Sequence, residues 1–330
     1  MVRALRCALT VVFASVSGAA CSSGTDDGTA AEDAALVAPA LFYLDITGRV
    51  LRAAPDGSGV TALVSGLSGT PDGIGVDVDR GHIFWSTMGV GAADDGSIER
   101  VDLDGSNRVT VVEPGGAFTP KQIKLDTAHD KLYWSDREGM SVMRSNLDGS
   151  AIETLVAIAE GDTARLDAQN WAVGIALDLE RGQIYWTQKG PDDGGVGTIK
   201  RAGLEIPPGE TAATRSDIQV LFAGLPEPID LELDLTAREI YWTDRGDNTV
   251  SRAPMDAASS VDAAARTDRE ILVTGLAEAI GIALDLEAGQ MYFTDLGGSV
   301  RTASLDGSAP SEILSAQGAL TGIAFVQVPK

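Results

Sequence analysis

Residues 174–188 read Gly-Ile-Ala-Leu-Asp-Leu-Glu-Arg-Gly-Gln-Ile-Tyr-Trp-Thr-Gln, and residues 281–295 read Gly-Ile-Ala-Leu-Asp-Leu-Glu-Ala-Gly-Gln-Met-Tyr-Phe-Thr-Asp. The two are one pattern written twice: a short apolar strand, a tight polar turn, then an aromatic strand. Working outward, the aromatic half recurs six times, as Phe42-Tyr43-Leu44-Asp45, Phe84-Trp85-Ser86-Thr87, Tyr133-Trp134-Ser135-Asp136, Tyr185-Trp186-Thr187-Gln188, Tyr241-Trp242-Thr243-Asp244 and Tyr292-Phe293-Thr294-Asp295. Successive units begin 42, 49, 52, 56 and 51 residues apart, and all five tyrosines and four of the five tryptophans fall in them. Each unit continues into a third strand, five of them with a basic residue (Arg100, Arg144, Arg201, Arg252, Arg301). Turns such as Leu103-Asp104-Gly105-Ser106 and Leu147-Asp148-Gly149-Ser150 then lead to a fourth strand. Short strands joined by Asp-Gly turns are antiparallel hairpins in series. Four-stranded repeats of roughly 40–55 residues are propeller blades, so the expected fold is an all-β, six-bladed propeller.

The chain enters this pattern at an aromatic strand, Leu41 to Asp45, and ends on an unpartnered first strand, Gly322-Ile323-Ala324-Phe325-Val326. The last strand should therefore pair beside the first and share a blade with it, which protects edges that would otherwise template aggregation. The units resemble the YWTD repeats of the low-density lipoprotein receptor propeller family, over about residues 38–328. Unit two departs with Thr87 and unit four with Gln188 in place of Asp, and unit four replaces Leu-Asp-Gly by Gly203-Leu204-Glu205 and an insertion at 206–217. The resemblance implies an architectural role for Tyr133, Trp134, Asp136, Tyr185, Trp186, Tyr241, Trp242, Asp244, Tyr292 and Asp295, with the aromatics wedged between blades. It also implies an interaction module. The cysteine-rich modules that flank the receptor's propeller have no counterpart here, so endocytic behaviour is not carried over.

Residues 1–20 read as a signal peptide: Arg3 and Arg6, an apolar run at 7–17, then small residues. Residues 18–21, Gly-Ala-Ala-Cys, resemble a bacterial lipobox with Cys21 as the lipidated residue, although Gly18 stands where that motif has Leu. Ordinary cleavage after Ala19 or Ala20 is the alternative. Residues 21–37 then form the lipidated cysteine and a flexible tether, and 38–330 the propeller. The expected location is a bacterial cell envelope, lipid-anchored or secreted, touching membrane only through the anchor.

Cys7 and Cys21 are the only cysteines, so the body holds by packing alone. A formal charge of −23 across 330 residues repels nucleic acid and anionic lipid, which sets nucleic-acid partners aside. The Asp-Gly turns lack the alternating oxygen ligands and closing Glu of a calcium loop, and Gly after Asp suits a reverse turn. No cofactor is expected. Calcium or another divalent cation is the alternative, either on Asp94, Asp95, Asp192 and Asp193 of the Gly/Asp-rich inserts 88–97 and 189–198, or in the channel.

Two places stand out as sites. Trp171, beside Asn170 in the long connection 157–173, is the one tryptophan outside the aromatic strands, and is either a ligand anchor or a residue packed under its own loop. The first strands carry small residues at mid-strand (Gly75, Ala176, Ala283, Ala324), except for Lys124 and Glu232, and the positions two before are glycine except for Gln122 and Asp230. Those four side chains are expected to converge on the channel near the end where the first strands begin, as a ligand grip or a structural ion pair. Glu227 lies on an adjoining loop. The reading is a monomeric envelope binding or scaffold propeller taking a protein, peptide or glycan on one face, and non-enzymatic. The alternative is a metal-dependent hydrolase or lyase, lactonase-like, using Asp230, Glu232, Glu227 and Glu278. A cation-paired Lys124 would count against that alternative. His82 and His129 sit in turns away from those loops, and no nucleophile elbow, P-loop or dinucleotide fingerprint is present.

Overall fold

The computed structural model describes residues 38–91, 93–256 and 262–326. The signal peptide, Cys21 and the tether expected from the sequence lie outside the described residues.

Alternating apolar positions and turn residues divide the chain into strands of four to nine residues. β1 (Ala40–Asp45), β2 (Arg49–Ala53) and β3 (Thr61–Val64) are followed by β4 (Pro71–Asp77), β5 (His82–Thr87), β6 (Gly96–Asp102) and β7 (Val109–Ala117) of the second blade. The third blade is β8 (Pro120–Asp126), β9 (Lys131–Asp136), β10 (Ser141–Asn146) and β11 (Glu153–Ala157). The fourth is β12 (Ala172–Asp178), β13 (Gln183–Gln188), β14 (Gly197–Gly203) and β15 (Gln219–Leu225). The fifth is β16 (Pro228–Asp234), β17 (Glu239–Asp244), β18 (Thr249–Pro254) and β19 (Glu270–Val273), and the sixth β20 (Ala279–Asp285), β21 (Gln290–Asp295), β22 (Val300–Ser304) and β23 (Ser311–Leu314). The last strand, β24 (Leu320–Val326), pairs antiparallel with β1, Leu41 opposite Phe325 and Tyr43 opposite Ile323, so the ring closes as the sequence predicts.

Six buried clusters fill the six junctions, and the aromatic strand explains why. Successive side chains on a strand point to opposite faces, so the two aromatics of one blade serve two different junctions. Tyr185 joins Trp242 of the next blade, while Trp186 joins Tyr133 of the previous one. Phe84 likewise meets Trp134, Tyr241 meets Phe293, and Tyr43 of the shared blade meets Tyr292. Trp85, Trp134, Trp186 and Trp242 are completely buried.

The hydroxyl that follows the aromatics stitches the ring. Every inner strand from β4 to β20 carries a bulge near its start, such as that between Ala172 and Ile175 opposite β13. At that bulge Gly174 N–H donates to Thr187 Oγ1 at 2.7 Å, and the same hydroxyl donates to Ile229 O of the next blade at 2.6 Å. Ser86 does this for Gly73 and Lys121, and Thr243 for Asp230 and Ile280. The shared blade has Leu44 where a hydroxyl is needed. There Thr321 of β24 donates to Pro71 O at 3.0 Å instead. Inner strands approach so closely at this level that a Cβ on Gly174 would lie 2.3 Å from Ile229 O.

The motif Asp holds the loop entering its own blade: Asp136 accepts from Phe118 and Thr119 N–H at 2.8 and 2.7 Å, and Asp244 from Glu227 N–H at 2.8 Å. In the fourth blade Gln188 does the equivalent by donating to Gln169 O at 2.6 Å. The Asp-Gly turns are plain turns, with Asp148 Oδ1 accepting from Ser150 N–H at 2.9 Å. Gly149, at φ +81°, also faces Val111 O of the preceding blade so closely that no Cβ fits.

Candidate functional site

The inner strands run side by side around the channel, from a top face where they begin to a bottom face where they end. Polar side chains gather at two levels.

At the top face the residue after the aromatic strand is a cation in three consecutive blades: Arg137, Lys189 and Arg245. Lys189 Nζ donates to the buried Glu227 at 2.5 Å and to Asp192 at 2.9 Å. Arg245 meets the same two acids at 2.6 and 2.7 Å. The ammonium of Lys189 holds the Asp192 carboxyl below its ordinary range. Farther round, Lys121 pairs with Asp72, and burial lowers its pKa despite that partner.

Trp171 stands among these cations. The Arg137 guanidinium lies 5.0 Å and Lys189 Nζ 5.6 Å from its ring centre, both within cation–π range. Trp171 Nε1 donates to Arg165 O at 2.8 Å, and Asn170 Nδ2 to Ala164 O at 2.9 Å. The connection thus folds as a short helical turn, α1 (Asp162–Arg165), with Arg165 over the Phe118 ring at 3.8 Å. Trp171 is half-buried, its ring N–H tied to its own loop and its ring flanked by cations. Next to the turn, Leu166 is 84% exposed, and Val90 on the 88–97 insert is 66% exposed.

In the channel, Lys124 and Glu232 reach each other across the fourth blade and form an ion pair. Asp230 is buried beside them, with Leu231 and Ile282 N–H donating to its two oxygens at 2.9 and 3.2 Å. Burial pushes its carboxyl up to about 7, against the pull of Lys124. Burial likewise draws Lys124 down, but the Glu232 and Asp230 carboxylates outweigh it and hold the ammonium above its usual value.

The expected four-way convergence needs correcting in two respects. Gln122 is taken up by Asp72 of the preceding blade, to which it donates at 3.2 Å, whereas Asp230 at the equivalent bulge position stays beside the pair. The Lys124–Glu232 pair also lines cavities that reach Leu286 and Leu179 at the bottom face rather than opening at the top. Of the acids considered for a metal, Glu227 is held by Lys189 and Arg245, Glu232 by Lys124, and Glu278 lies 3.7 Å from Arg245. Among the described residues no three His, Cys, Asp or Glu side chains converge as a metal site. The sequence reading missed Arg137, Lys189 and Arg245, although aligning the six units exposes them against Ile46, Met88 and Leu296 at the same position.

No family model matches the chain. It is 46% identical over 292 residues to low-density lipoprotein receptor-related protein 1 of Pyricularia oryzae, covering 84% of this chain and 92% of that one. It is 40% identical over 265 residues to the 3-hydroxyacyl-CoA dehydrogenase-like protein LAM1 of Cochliobolus heterostrophus, covering 77% of this chain and only 56% of that protein. Among solved structures, a nidogen/laminin complex superposes with a TM-score of 0.68 at 19% identity, over 87% of this chain and 98% of the other. TolB from Acinetobacter baumannii does so at 0.61 and 14%, over 88% and 66%.

Proposed function

The chain belongs to the family of the Pyricularia low-density lipoprotein receptor-related protein, and from that premise we propose that it is a protein-binding propeller whose top face takes a protein or peptide partner. The observation that carries the reading is Trp171, an aromatic held between Arg137 and Lys189 with exposed Leu166 on the adjoining turn. Rigid aromatics beside apolar and cationic neighbours are the usual anchors of protein interfaces. The many ion pairs around Trp171 fix its surroundings in advance, which lowers the ordering cost of association.

The same proposal places the domain at the cell envelope, tethered through Cys21 by the 21–37 segment, as a monomer. Cys21→Ser should move the protein from the detergent phase to the aqueous phase on partition. Equal partition of both forms would remove the anchor from the proposal.

The face is tested by affinity capture with the full chain, a Trp171→Ala, Leu166→Asp double variant, and Lys124→Met as a channel control. A partner kept by wild type and Lys124→Met but lost by the double variant supports the top face. A partner kept by all three, or lost only with Lys124→Met, overturns it.

A further inference from the structure

The channel is built for something the top-face reading does not use. Lys124 and Glu232 stand where the other inner strands have Gly75, Ala176, Ala283 and Ala324, and their contact partitions the channel. On one side lies a cavity of about 280 Å³ walled by Ile74, Ile123, Leu284, Ile323 and Phe325. On the other lies one of about 250 Å³ against Ala176, Leu177 and Leu235. Both charged side chains face both cavities and remain about a quarter exposed, at 24% and 23%. Charges are thus presented to space of mixed polar and apolar lining that opens at the bottom face.

We propose that this channel binds an aliphatic α-amino acid, its carboxylate on Lys124, its ammonium on Glu232 and its side chain in the larger cavity. The Lys124–Glu232 ion pair is already compensated. Opening it for a ligand of one charge leaves the other partner uncompensated in a low-dielectric cavity, a loss that is strongly unfavourable. A zwitterion with both charges on one carbon repartners both groups, exchanging one ion pair for two. The long stem of Lys124 supplies the swing this requires. Charge balance points the same way. Lys124 and Glu232 sum to zero, and Asp230, committed to two backbone N–H groups and carrying a raised pKa, adds no full charge in mildly acid solution. The leucines of the lining, Leu125, Leu233 and Leu284, favour an apolar side chain, which gains by covering them. The larger cavity equals about nine water volumes at ~30 Å³ each, room for a leucine-sized ligand. This inference is independent of the top-face proposal, because neither Trp171 nor its neighbours line either cavity.

Isothermal titration calorimetry of the full chain at mildly acid pH tests it, with L-leucine, 4-methylpentanoate (carboxylate alone) and 3-methylbutylamine (ammonium alone) as ligands. Leucine should bind one-to-one, and each single-charge analogue at least about tenfold more weakly. A Lys124→Met, Glu232→Leu double variant should lose at least about tenfold in leucine affinity. Ala324→Leu, which fills the larger cavity and leaves the ion pair alone, should do the same, and carries the test if the double variant fails to fold. No leucine binding at about 10 mM, an analogue binding within about tenfold of leucine, or unchanged affinity in the folded variants would overturn the proposal.

Discussion

Replacing Thr187 by Val asks how much one hydroxyl contributes to the ring. Thr187 is completely buried, and its Oγ1 is 2.7 Å from Gly174 N and 2.6 Å from Ile229 O, one group in its own blade and one in the next. Valine keeps the branched shape and removes both hydrogen bonds, so two buried backbone groups lose their partner in one step. An orphaned buried donor or acceptor costs about 1–3 kcal/mol, which puts the expected loss at about 2–6 kcal/mol. That is a large part of the ~5–15 kcal/mol that holds a typical native protein together. Thr187→Ser is the control. It keeps the hydroxyl, which Ser86 and Ser135 show to be sufficient in blades two and three, and should cost about 1 kcal/mol or less for the lost methyl. Guanidinium unfolding followed by tryptophan fluorescence reads the junction directly, since Trp186 and Trp242 pack on either side of the fourth blade. If Val and Ser lie within about 0.5 kcal/mol of one another, the hydroxyls are incidental and the aromatic clusters alone carry the ring.

Gly174→Ala should destabilise by about 1–3 kcal/mol in the same assay, because its Cβ would meet Ile229 O at 2.3 Å and the two inner strands must part. Glu227→Leu leaves Lys189 and Arg245 to share the exposed Asp192 at the top face and should cost about 1–3 kcal/mol for the lost charge-assisted hydrogen bonds, whereas an unchanged unfolding midpoint would mean that Asp192 alone suffices for both cations. Asp230, with its carboxyl pushed up to about 7, keeps a proton in the folded chain that an unfolded Asp gives up near ~3.9. Its contribution to stability is therefore full below about pH 4 and declines as pH rises towards 7, at about 1.36 kcal/mol per unit. Asp230→Asn should flatten that decline in thermal melts between those limits, and parallel curves for the two proteins would show that Asp230 does not titrate there.

The fold was legible because each blade must present two large aromatics to two different neighbours, which writes Tyr-Trp or its equivalent into the chain six times. Closure was legible from the unpaired Leu41–Asp45 and Gly322–Val326 segments, and β24 does lie beside β1. The channel pair was legible too, since Lys124 and Glu232 interrupt a series of Gly and Ala. Gln122 fell outside that group because Asp72 of the preceding blade offers it an acceptor, a partner that comes from another unit rather than from its own strand. The bottom-face opening escaped for a related reason: the glycine level at Gly73, Gly174, Gly281 and Gly322 draws the inner strands together near the top, and such closeness comes from backbone approach rather than residue type. Arg137, Lys189 and Arg245 were in plain view, but identifying them needs the six units compared at a position just outside the repeated motif.

Pairing β24 with β1 has a consequence for how the molecule comes into being. Both strands of that contact lie at opposite ends of the propeller sequence, so a ribosome delivers five complete blades before the sixth can be finished. Until Leu320–Val326 emerges, β1 offers one unpaired edge to the cell, and Tyr43 lacks part of the pocket it shares with Ile323 and Tyr292. Contacts this distant in sequence close slowly, and a waiting strand edge is where newly made chains find one another. Chaperone demand during synthesis should therefore rise and fall with the exposure of that single seam, and a circular permutant that opens the ring between two other blades would move the vulnerable moment to a different strand.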